Sequence, residues 1–104
     1  MLDKATVREI ALKYAEEVKK ILNPNVIILF GSYVNGNPHK WSDIDIAVIV
    51  NDFQGNWLET ASMLCGLSWK ISIDIEPHLM DSTCDKSGFV EFVKKTGEII
   101  YKAA

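Results

Sequence analysis

The sequence predicts an α/β (α+β) fold, a small mixed β-sheet with helices packed on it. Three observations point there. An amphipathic helical stripe opens the chain, a wholly apolar five-residue run follows it, and an alternating apolar segment then carries acidic residues on its other face. Val7, Ile10, Ala11, Tyr14, Ala15, Val18, Ile21 and Leu22 recur at helical spacing, which predicts a helix over about residues 3 to 22. Glu9–Lys13 and Glu16–Lys20 stand four apart on its wet side, and Asn23-Pro24-Asn25 stops it. Val26-Ile27-Ile28-Leu29-Phe30 is short, rich in β-branched residues and wholly apolar, as a strand buried on both faces must be. Gly31 to Ser42 is a polar loop, and Asp43 to Val50 is the next strand. A helical stretch runs from Asp52 to about Leu67. Trp69 to Glu76 reads as a third strand that Pro77 ends. Ser82 to Asp85 offers N-caps for a helix through Phe89, Val90, Phe92 and Val93, with Gly97 as its stop. Residues 98 to 101 fit either an edge strand or a further helical turn.

Composition narrows the function. At 104 residues the chain is expected to form a single domain, 1–104. Such a domain has a radius of gyration of about 13 Å, so any active site lies near the surface. Eleven basic against fourteen acidic residues give a formal charge of −3, which argues against direct binding to nucleic acid or to an anionic membrane. No apolar run approaches the roughly 20 residues that span a bilayer, and the N-terminus has no signal-peptide core. Cys65 and Cys84 have no metal-ligand spacing and read as two buried free thiols, which fits a cytoplasmic protein.

The chemistry-bearing residues cluster on the strands. Ile44, Ile46, Val48 and Val50 share one face of their strand, so Asp43 and Asp45 share the other. Residues two apart on a strand stand roughly 7 Å apart. Two carboxylates that close repel unless a proton or a divalent cation lies between them. In the third strand Ile71, Ile73 and Ile75 alternate with Lys70, Ser72, Asp74 and Glu76. If that strand lies beside the first acidic one, Asp74 reaches the same volume. Three carboxylates can then hold two Mg²⁺ ions about 3.5–4 Å apart, an arrangement suited to phosphoryl-type transfer. Glu76 shares the face but stands nearer the strand end and ranks after Asp74. Gly31-Ser32 offers backbone N–H groups and a hydroxyl that can cradle a phosphate, and Gly36 allows a second tight bend. Each feature alone is ordinary; their combination on strands with apolar opposite faces is specific.

The remaining polar and aromatic residues read more plainly. Trp41 suits a loop anchor better than a base-stacking platform, and Trp57 and Trp69 suit a core or an interface. His39 and His78 read as isolated loop residues. The helix carrying Phe89 and Phe92 is apolar on more than one side, which leaves a face for a homo-oligomer or partner contact.

Gly31-Ser32, ten residues, then Asp43-x-Asp45 matches the signature of the DNA polymerase β-like nucleotidyltransferase superfamily. The stretch GSYVNGNPHKWSDIDIAV resembles its small members, the minimal nucleotidyltransferases or MNT proteins. That resemblance implies a polymerase β-like core in which Gly31 and Ser32 hold the triphosphate of a nucleotide, with Asn35, Gly36, Lys40 and Ser42 completing the nucleotide-binding set. It implies that Asp43 and Asp45 bind two Mg²⁺ ions and that Asp74 completes the site and helps activate the acceptor hydroxyl. The family transfers a nucleoside monophosphate, usually AMP from ATP, and releases pyrophosphate. Many of its members resemble antitoxins encoded beside a helical HEPN partner, a toxin RNase, and some adenylylate a tyrosine of that partner. The family's frequent Gly-Ser-x-Ala-Arg-Gly run carries Asn35 here in place of its basic residue, and Lys40 and Lys70 are the candidates to compensate for that charge beside the phosphates. The rival expectation is a non-catalytic antitoxin that occludes a helical partner, its site vestigial or nucleotide-sensing. An aminoglycoside-type transferase fits less well, since those relatives carry a C-terminal acceptor domain.

Overall fold

The computed structural model describes residues 2–36 and 43–103. The order is α1 (Lys4–Ile21), β1 (Val26–Phe30), α2 (Ser32–Asn35), β2 (Ile44–Val50), α3 (Trp57–Ile71), β3 (Ile75–Asp81), α4 (Phe89–Thr96) and β4 (Glu98–Lys102). The four strands form one mixed sheet in the order β3-β2-β1-β4. β1 pairs antiparallel with both β2 and β4, while β3 runs parallel to β2 after the crossover through α3. The Cα radius of gyration is 12.9 Å, as expected for this length. No described helix is long and apolar enough to cross a membrane.

Two apolar clusters lie on opposite faces of the sheet. Val7, Ala11, Tyr14, Ala15 and Val18 of α1 and Leu64 of α3 pack on Ile27, Leu29, Ile44, Ile46 and Val48. Val90 and Val93 of α4 pack on the other face, against Val26, Ile28, Phe30, Ala47 and Ile49. β1 therefore has no wet side, which explains its uninterrupted apolar sequence. Asp3 caps α1 by accepting from the Thr6 N–H at 2.7 Å. The Tyr14 hydroxyl donates to the Leu64 carbonyl at 2.8 Å, joining α1 to α3, and burial pushes its pKa up.

The third strand lies further along than the sequence pattern suggests. Trp69, Lys70 and Ile71 belong to α3, where Leu64, Leu67, Ser68 and Ile71 follow helical spacing toward the core. The Ile-x-Ile-x-Ile alternation is thus coincidental. Ile71 is a helical contact, Ile73 is 86% exposed in a turn, and only Ile75 is a buried strand residue. Pro77 sits inside β3 rather than ending it. β3 is an edge strand, so an absent N–H can face away from the ladder at no cost. α3 also starts later than Asp52. The Asp52 and Phe53 N–H groups are held by the Asp81 carboxylate at 3.1 and 2.8 Å, and Asn56 caps the helix through the Glu59 N–H at 2.9 Å. The Thr83 hydroxyl, which also donates to Asp81, and then these backbone bonds hold the Asp81 pKa down at about 2. Residues 98 to 102 form the strand β4. Cys65 and Cys84, expected to be buried, are both exposed. Trp57 and Trp69 are not core residues either, being 43% and 71% exposed.

Gly97, between α4 and β4, is a close-approach glycine. A Cβ there would overlap Ile28 Cγ2 and lie 2.8 Å from the Val93 carbonyl and 2.9 Å from that of Leu29. Two of those neighbours are backbone and cannot yield. Gly97→Ala is expected to cost about 1–3 kcal/mol by overpacking. That lowers the melting temperature by about 5–15 °C in a domain of this size, read from a thermal melt followed by circular dichroism.

Candidate active site

The face of the sheet under α4 is covered only in part. α4 closes over Ala47 and Ile49, but Asp45, two residues earlier on β2, lies beyond it. There the register places Asp45 between Phe30 of β1 and Glu76 of β3, and the next step pairs Ala47 with His78. Alternation along β3 puts Glu76 and His78 on Asp45's side. His78 Nε2 lies 3.2 Å from Asp45 Oδ1 and 3.9 Å from Glu76 Oε1. The imidazole and the Phe30 ring meet edge-to-face at 5.1 Å between centroids, and Phe30 packs in turn on Phe89 at 6.0 Å.

The crowding of these groups sets their electrostatics. The pKa of His78 is raised, first by its hydrogen bond to Asp45 and then by the charges of Asp45, Glu76 and Asp43, against the effect of burial. The pKa of Glu76 is also raised. A hydrogen bond shared with Asp43 is the largest cause, followed by burial, while His78 opposes. Asp43 itself is exposed, at the entry to β2. Crowded carboxylates beside an imidazole are a donor set a divalent cation would suit. Among the described residues, Asp45, Glu76 and His78 each offer one ligand atom within 4.8 Å of the others.

The glycine turn meets this cluster directly. Gly31 has φ 86° and ψ −154°, and a Cβ built on it would overlap Asp45 Oδ2. Ser32, half-buried, begins α2, Asn35 ends it exposed, and Gly36 (φ 86°, ψ 8°) closes it in the left-handed region. Of the residues singled out in the sequence, Gly31, Ser32, Asp43 and Asp45 therefore come together at one end of the sheet. Asp74 does not join them. It is exposed in the turn before β3, where its N–H donates to Ser72 Oγ at 3.2 Å and its carbonyl accepts from the Ile44 N–H at 2.7 Å. Because α3 runs on to Ile71, the strand begins after Asp74, and Glu76 is the acidic residue opposite Asp45. Lys70 is exposed in the last turn of α3. Lys40 and Ser42, with His39 and Trp41, lie outside the described residues.

His78 is the residue that the sequence reading misplaced as an isolated loop histidine. Its signal is the spacing Glu76-Pro77-His78, which on a strand puts both polar side chains on one face. A cleft of about 690 Å³ lies farther along β3, lined by Phe53, Trp57, Met80 and Phe89 among others. None of the acidic cluster borders it.

The family model described as "Polymerase beta, Nucleotidyltransferase" matches residues 13–104. No curated protein matches the sequence. Among solved structures, the chain is similar to one assigned as a nucleotidyltransferase from Sulfolobus solfataricus, with TM-score 0.70 and 21% identity over 95% of this chain and 83% of that one. It is similar to a toxin–antitoxin structure with AMP-PNP, with TM-score 0.65 and 27% identity over 92% of this chain and 73% of that one. It also matches a structure of a tri-AMPylated Shewanella oneidensis HEPN toxin in complex with MNT antitoxin, with TM-score 0.60 and 23% identity over 96% of this chain and 73% of that one.

Proposed function

Since this chain belongs to the polymerase beta nucleotidyltransferase family, we propose that it transfers a nucleoside monophosphate, AMP from ATP, to a hydroxyl of a helical HEPN-type partner protein, as an antitoxin. The observation that carries this reading is the contact of the Gly31 turn with Asp45, in one cluster with Glu76 and Asp43. Support for the nucleotide comes from the 27% identical structure holding AMP-PNP, and support for the partner from the complex with a HEPN toxin.

Gly31 and Ser32 would bind the phosphate tail, with Asn35 and Gly36 shaping the turn and Lys40 and Ser42 in the segment that leads to Asp43. Asp43, Asp45 and Glu76 would hold divalent cations, which supply charge neutralisation at the transferring phosphate when bound. In the transfer, the acceptor oxygen bonds to the α-phosphorus, the bond from that phosphorus to the β-phosphate oxygen breaks, and pyrophosphate leaves. The acceptor's proton passes to a carboxylate of the cluster. Phosphoryl-type transfer of this kind relies on positioning and electrostatics rather than on a covalent enzyme intermediate.

Geometry favours Glu76 over Asp74 as the third carboxylate. With ATP, Mg²⁺ and the partner protein, intact mass spectrometry should show the partner gaining one nucleoside monophosphate. Glu76→Gln should lower that rate by about 10²-fold or more. Asp74→Asn should leave it within about twofold, since its side chain is exposed and outside the cluster. An unmodified partner in a stable complex would establish binding without transfer. The reverse ranking of the two variants would return the third role to Asp74.

A further inference from the structure

We propose that His78 is itself a ligand of the site's divalent cation, beside Asp45 and Glu76, and that the site therefore selects a transition-metal ion such as Mn²⁺ or Co²⁺ over Mg²⁺. This rests on the transferase reading and adds to it a nitrogen donor that an all-carboxylate site lacks.

Three observations converge on it. First, the donor spacing fits one ion. Neighbouring ligands on an octahedral or tetrahedral ion with bonds near 2.1 Å stand about 3.0–3.4 Å apart. His78 Nε2 is 3.2 Å from Asp45 Oδ1 and 3.9 Å from Glu76 Oε1, and one donor atom of each residue lies within 4.8 Å of the others. Second, the three side chains are held from two strands in fixed register, Asp45 opposite Glu76 and Ala47 opposite His78. Pro77, between the two β3 donors, limits backbone rotation there, and the Phe30 ring sets the imidazole's tilt. Third, the ring presents Nε2, not its carbon edge, to both carboxylates. Mg²⁺ is a hard ion that favours oxygen and water, whereas imidazole raises affinity along the transition series. A cation bound by Asp45 and Glu76 meets Nε2 as its third protein donor.

The test uses the whole chain with Mn²⁺ as probe. Electron spin echo envelope modulation of the Mn²⁺-bound protein is expected to show ¹⁴N coupling, lost in His78→Gln. Mn²⁺ titration should show the variant binding at least about tenfold more weakly, while competing Mg²⁺ loses less than about threefold. Mn²⁺ binding without nitrogen coupling in the wild type would overturn the inference and leave His78 as a hydrogen-bond partner of Asp45. The transferase reading would then stand on its carboxylates. Equal losses for both ions would overturn the claimed selectivity. Absence of Mn²⁺ binding, with or without a non-hydrolysable ATP analogue, would overturn both readings. The wild-type spectrum needs no variant, so a folding defect in His78→Gln cannot rescue the proposal.

Discussion

Replacing Gly31 with alanine is expected to abolish nucleotide transfer and to lower the melting temperature together. At φ 86° and ψ −154°, Gly31 occupies a backbone region that is essentially restricted to glycine. Placing a side chain there costs about 1–3 kcal/mol in strain. The new Cβ also overlaps Asp45 Oδ2, so either the turn or the carboxylate must move. Displacement by about 1 Å at a reacting centre can cost 10²-fold in rate. We expect at least that loss in transfer, with a melting temperature lower by about 5–20 °C. The pair Gly31→Ala/Asp45→Ala separates the two causes. It should recover part of the lost stability, because the overlap is relieved, and none of the activity. Wild-type melting and transfer in Gly31→Ala would refute the contact between turn and carboxylate.

Asp45→Asn should be nearly silent in stability and severe in function. The side chain is half-buried, keeps its shape, and retains an oxygen for the His78 hydrogen bond. Its removed charge was crowded by Glu76 and Asp43, so the fold loses little at a pH where His78 is neutral. A cation-binding carboxylate at the reacting phosphate is a matter of several kcal/mol, and each 1.36 kcal/mol is tenfold in rate. A fall of about 10³-fold or more in transfer is expected, with circular dichroism unchanged. An independent readout comes from His78. The Asp45 hydrogen bond is the largest cause of its raised pKa. Its NMR titration midpoint should therefore drop in the variant. A full-activity Asp45→Asn protein would remove this residue from the mechanism.

How much of this was legible before the structure depends on the kind of signal. Helix α1 and strand β1 were readable because each satisfies one periodicity with no competitor: Val7 to Val18 at helical spacing, and Val26 to Phe30 apolar throughout. Half of the candidate cluster was readable for the same reason, since Asp43 and Asp45 interrupt an otherwise apolar alternation. The other half was hidden by a conflict between two periods. Residues 67 to 75 satisfy both a helical and an alternating pattern over a few positions, and burial against α1 decides for the helix. That decision moves β3 by several residues, so that Glu76 rather than Asp74 stands opposite Asp45 and His78 lies on a strand. Pro77 added to the error, because a proline reads as a strand terminator unless the strand is known to lie at an edge.

The partnership of β1 with β4 bears on how the molecule is made. Ile27 pairs with Tyr101, across most of the sequence, and a bulge between Ile27 and Ile28 closes the register. Such distant pairing slows folding, because the loop must close before its contacts form. Until then, Val26-Ile27-Ile28-Leu29-Phe30 offers an uncharged, β-branched edge to any other chain. A nascent or clipped chain lacking residues 98–102 would thus be prone to aggregate through its most buried strand. Expression at low temperature or with a chaperone should raise the soluble yield of such truncations more than that of the full chain.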